Sequence, residues 1–73
     1  MSSREFARAL MKLGCFPCPE RHAVGSHQEW ERRIHGQHIR RPIVIGRKDL
    51  SHKTVLRIIK AFEISKEQLR KAL

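Results

Sequence analysis

Acidic side chains are scarce in this chain. Seven Asp and Glu stand against sixteen Lys and Arg, which leaves +9 with the histidines neutral. A surplus this large in a short chain points first to a polyanionic partner, with nucleic acid ahead of an acidic protein or an anionic membrane surface. Long apolar runs are also missing, so no segment is fit to span a membrane. "MSSREFARAL" lacks the apolar core of a secretory signal. The expectation is therefore a cytoplasmic protein whose two cysteines are reduced thiols. No low-complexity tract and no repeat is present, and the composition is that of a folded protein. Seventy-three residues make one domain, 1–73, with a thin core. A chain of this size buries only about 60% of the surface its unfolded form exposes. A deep cofactor pocket is not expected, no cofactor is called for, and any active site should lie on a surface.

Several chemical signatures are incomplete or lacking. Cys15 and Cys18 form one C-x-x-C, "CFPC", with no second one to complete a zinc site. The nearby His22 and His27 are too closely spaced for an ordinary finger. The pair also follows a helix and is trailed by Pro19, whereas a redox cysteine opens a helix that lowers its pKa. Two half-buried thiols are the simpler expectation, with a zinc- or thiol-based protein as a minor alternative. The five histidines (His22, His27, His35, His38 and His52) keep no fixed spacing. Neither H-E-x-x-H nor a nucleophile elbow occurs.

What is present reads as α-β-β-β-α. "MSSREFARALMKLG" is a helix that Ser2 caps, with Glu5 in capping-box spacing, Phe6, Leu10 and Leu13 on one face and Gly14 as its stop. Arg4, Arg8 and Lys12 form a basic stripe of the kind that is usually just solvated. Pro17 and Pro19 make the following strand an edge strand, if it is a strand. "GSHQEWERR" alternates: Ser26, Gln28 and Trp30 share the face nearer the core, and His27, Glu29 and Glu31 the wetter one. "IHGQ" turns at Gly36, and "HIRRPIVI" is a third strand. Ser51 caps a helix with Val55, Ile58, Ile59 and Phe62 on its apolar face and Lys53, Arg57 and Lys60 on its basic one. Ser65 and Gln68 open a last short helix that Leu69 and Leu73 would dock. The expected fold class is α+β, a three-stranded antiparallel sheet with the helices on one face.

His27 is the residue to which chemistry could attach. It follows Gly25 and Ser26 at the head of a strand, on the polar side. Imidazole can take or give a proton near neutrality without a metal, and on RNA it could activate the 2′-hydroxyl beside each phosphate. Lys and Arg would hold that phosphate. A lone strand histidine is more often structural, and the residue types alone do not decide.

The order of motifs does more. "REFARALMKLG", a strand, "GSH" opening the next strand, a proline-bearing third strand and "KDLSHKTVLRIIKAFEISKEQL" together resemble the HicA (YcfA-like) family of toxin mRNA interferases over nearly the whole chain. The resemblance implies a fold like that of double-stranded-RNA-binding domains and metal-independent endoribonuclease cleavage of mRNA. It implies His27 as the catalytic residue, arrest of translation and growth, and a cognate HicB-like antitoxin that covers the site. Ser26, Arg32, Arg33, Arg40, Arg41, Arg47, Lys48, Lys53 and Arg57 are the candidates for contact with RNA, against the plainer view that they are solvated charge. Glu29 and Glu31, on the face of His27, would repel phosphate. The alternative is an inactive RNA-binding module of the same fold, which would read A-form RNA by shape.

Overall fold

Each helix begins where a serine can cap it. The Ser2 hydroxyl accepts from the Glu5 N–H at 3.1 Å, and the Ser2 N–H donates to Glu5 Oε1 at 3.1 Å. Ser65 and Gln68 repeat this reciprocal box at 3.0 and 2.8 Å. Ser51 accepts from the Thr54 N–H at 3.1 Å. Such caps satisfy N–H groups that the first helical turn leaves without partners. The computed structural model describes residues 1–19, 27–44 and 46–73. Its elements are α1 (Ser3–Lys12), β1 (Cys15–Pro17), β2 (His27–Ile34), β3 (Gln37–Val44), α2 (His52–Ala61) and α3 (Lys66–Ala72).

The sheet is antiparallel throughout, in the order β1-β2-β3. β2 and β3 are joined by His35 and Gly36, both at positive φ (49° and 72°). This is the backbone of a two-residue type I′ turn, which glycine adopts without strain. It also gives His35 a place in the hairpin tip. Pro17 and Pro42 lie in the two edge strands, where a missing N–H leaves no neighbour unpaired. The ladder continues one residue past β1, with the Cys18 N–H donating to the Glu29 carbonyl at 2.9 Å.

One core joins the layers. Phe6, Ala9 and Leu10 of α1, Val55, Ile58 and Ile59 of α2, and Leu69 and Ala72 of α3 meet Cys15, Trp30 and Ile43 of the sheet. Cys15 pairs with Arg32 and Ile43 with Gln28, so by strand alternation these three sheet residues share the face of Trp30. Two expectations need correction. Leu73 is 57% exposed, and Ala72 packs in its place because α3 turns that position inward. Cys15 and Cys18 are fully buried, not half-buried, at 1% and 2% exposure.

Helix ends are tied by cations. α2 closes with Glu63 at φ 57°, its N–H on Lys60 O at 3.1 Å and the Ile64 N–H on Ile59 O at 2.8 Å. That is the double bond of a Schellman ending, built here without glycine. Arg32 Nη1 donates to the Phe62 and Glu63 carbonyls of the same turn. Lys12 Nζ donates to the Ala72 carbonyl at the end of α3, at 3.1 Å.

Candidate nucleic-acid interface

Alternation along β2 divides neighbouring residues between two surfaces. Gln28, Trp30 and Arg32 face the core. His27, Glu29, Glu31 and Arg33 face the opposite way, together with Phe16 of β1 and His38, Arg40 and Pro42 of β3, while Val44 at the end of the ladder is half-buried and packs against the core. His27 is the first residue of β2; it is exposed and lies opposite Val44. Gly25, Ser26 and His22 lie outside the described residues.

Glu31 departs most from expectation. It does share the face of His27, yet it is 1% exposed. Arg33 Nε donates to its Oε2 and Arg40 Nε to its Oε1, both at 2.7 Å, with His38 Nδ1 at 3.8 Å from Oε2. Cationic side chains on the outer face cover this carboxylate, so it is hidden from water without being enclosed by the core. The Arg40 and Arg33 hydrogen bonds hold its carboxyl below the ordinary value of 4.5, against a smaller opposing effect of burial. Its charge is matched on the spot, which removes most of the repulsion of phosphate expected from it. Glu29 remains on that face between Glu31 and His27.

The arginine pairs also separate. Of Arg32 and Arg33, only Arg33 points to this face, and of Arg40 and Arg41, only Arg40 does. Arg32 is engaged with the last carbonyls of α2, and the structure gives it a structural role. Arg41 is exposed on the other side and donates to the Arg40 carbonyl at 2.6 Å. His27 and Arg33 are six positions apart on one strand, roughly 20 Å at the usual rise per residue.

A second basic surface lies at the start of α1. Ser3 is buried and ties the helix to the segment before α2. Its N–H and hydroxyl donate to the Arg47 carbonyl at 3.0 and 2.9 Å, and the hydroxyl accepts from the Arg47 N–H at 2.7 Å. This clamp forms a cleft of about 500 Å³ lined by Ser2, Ser3, Arg4, Ala7, Gly46, Arg47 and Lys48. Its three cations come with no lining carboxylate, so the cleft attracts anions. Arg4 had looked like part of a solvated stripe, and only the long-range clamp brings it beside Arg47 and Lys48. Lys53 and Arg57 are exposed one turn apart on α2.

Cys15 lies in the core, and burial pushes its thiol up to about 11, only partly offset by Arg32. This is the reverse of an activated redox cysteine. Among the described residues no group of three or more His, Cys, Asp and Glu could hold a metal ion, and no helix is long and apolar enough to cross a membrane. Comparison with protein-family models, with curated proteins and with solved structures finds no match for this chain.

Proposed function

We propose that this chain is a HicA-like toxin, a metal-independent endoribonuclease that cleaves mRNA with His27 and so arrests translation and growth. The observation that carries the reading is the position of His27. It is an exposed imidazole at the head of β2, on the sheet face away from the core and in a strongly basic protein. In this reading the fold is the double-stranded-RNA-binding-domain type, and a HicB-like antitoxin covers the site. His27 takes the proton of a ribose 2′-hydroxyl. The 2′-oxygen attacks the adjacent phosphorus to form a 2′,3′-cyclic phosphate as the P–O5′ bond breaks, and the leaving 5′-oxygen takes a proton from water. Arg4, Arg47 and Lys48 in their cleft, with Lys53 and Arg57 on α2, hold backbone phosphates by charge.

The test is induced expression of wild type beside His27→Ala, with soluble level and folding checked for both. Growth arrest and mRNA loss with wild type alone are expected. A folded, abundant His27→Ala that is fully toxic removes His27 from the chemistry. A second reading, an RNA-binding module without catalysis, is favoured by one observation: the carboxylate of Glu29 is borne by the same strand face as His27, two residues away. If neither protein arrests growth or cleaves RNA although both bind it, that reading holds.

A further inference from the structure

We propose that Arg33, held between Phe16 and Glu31 on the outer face of the sheet, is a stacking platform for an unpaired base of single-stranded RNA. The proposal rests on the RNA-directed reading above and is independent of cleavage.

Three strands build the platform. Phe16, Glu31 and Arg40 form a row straight across β1, β2 and β3, and Arg33 and His38 form the next row on the same face. The Arg33 guanidinium lies over the Phe16 ring, 5.5 Å from its centroid, while its Nε is bonded to Glu31. The side chain is nevertheless 63% exposed. A guanidinium tied at Nε to a carboxylate and set over a ring, yet still open to water, is an ordered surface of limited size. An ordinary surface arginine loses rotamer freedom when it binds, whereas Arg33 has already lost much of it.

The buried carboxylate argues for a base over a phosphate. A phosphate site gains nothing from an anion at its centre, because Glu31 cancels one of the two guanidinium charges that would attract the ligand. A stacking platform does gain, because the carboxylate sets the angle of the plane and leaves its face unaltered. Bases of single-stranded RNA stack on arginine planes as well as on aromatic rings, while in a duplex those faces are occupied by neighbouring bases. Glu31 is accordingly a positioning residue.

The test uses full-length His27→Ala protein, so that the probe stays intact, and fluorescence anisotropy with a labelled RNA decamer. A decamer with the same phosphates but no bases is measured alongside. The parent is expected to bind the base-bearing strand at least tenfold more tightly than the abasic one. Arg33→Lys keeps the charge and removes the plane; it is expected to abolish most of that ratio and leave abasic binding unchanged. Glu31→Gln is expected to lower the ratio by a smaller factor. Circular dichroism and thermal unfolding confirm that each variant folds. A ratio near one in the parent, an unchanged ratio in Arg33→Lys, or tighter binding of a blunt duplex that Arg33→Lys leaves alone overturns the proposal. Wild-type RNA cleavage with an Arg33-independent ratio removes the platform and keeps the nuclease. An Arg33-dependent ratio in a wild type that never cleaves does the reverse.

Discussion

The two faces of one sheet treat the same residue type in opposite ways. On the inner face Arg32 reaches past the core to the end of α2 and donates to two of its carbonyls. On the outer face its neighbour Arg33 sits over the Phe16 ring and is tied to a carboxylate, with most of its side chain exposed. Arg41 and Arg40 are divided in the same manner, Arg40 joining Glu31. One step along a strand thus separates a cation that ties a helix end from one that lies open to solvent. The lesson extends to Glu31, a buried acid on the side that otherwise faces water. It orders cations that would repel one another, in a chain with little acid to offer.

The largest effect should come from the inner face. Trp30→Ala is expected to cost about 3–5 kcal/mol in denaturant unfolding, a large share of the stability of a domain this small. Trp30→Phe should recover most of that loss, since the buried indole N–H has no hydrogen-bond partner among the described residues. Next comes the paired comparison of Arg32→Ala with Arg33→Ala. Arg32→Ala strips two carbonyls at the end of α2 of a charged donor and should cost about 1–3 kcal/mol. Arg33→Ala should stay within about 1 kcal/mol, because Arg33 is itself exposed and its removal opens Glu31 to water while Arg40 still pairs with it. Equal losses would undo the distinction between the faces. Glu63→Gly should stabilise by roughly 0.5–1 kcal/mol, because glycine takes the left-handed conformation without strain.

The smallest effect depends on pH. The folded pKa of Glu31 is depressed by Arg40 and Arg33. Its stabilisation is therefore present above the ordinary carboxylate value and is lost as pH falls through the lower folded one. The difference in melting temperature between wild type and Glu31→Gln should be steady at neutral pH and shrink below about pH 4. A difference that stays constant down to pH 2 would mean that the ion pairs contribute nothing to the fold.

Much of the architecture was legible without coordinates because its causes are local. Capping boxes act over three residues, the hairpin turn over two, and alternation over each pair, so Ser2, Ser65, Gly36 and Trp30 announced their roles. Expectations failed where packing decides, as with Cys15 and Cys18, expected half-buried and found fully buried. Leu73 was assigned to the core on spacing alone, and the end of α3 turns Ala72 inward instead. Glu31 was placed on its correct face, but its burial depends on Arg40, nine residues away, and on the register of β2 against β3.

The sequence by itself determined the elements, their order, the core faces of α1, β2 and α2 and the basic character of the whole, because these follow from backbone propensity, periodicity and charge. Only the tertiary structure decided which cations share a surface. Ser3 draws Arg47 and Lys48 to Arg4 across more than forty residues, and strand pairing gathers Phe16, Arg33, His38 and Arg40 around one carboxylate. No local rule encodes such neighbours, since side chains that meet across strands and clamps are brought together by the fold and not by their spacing along the chain.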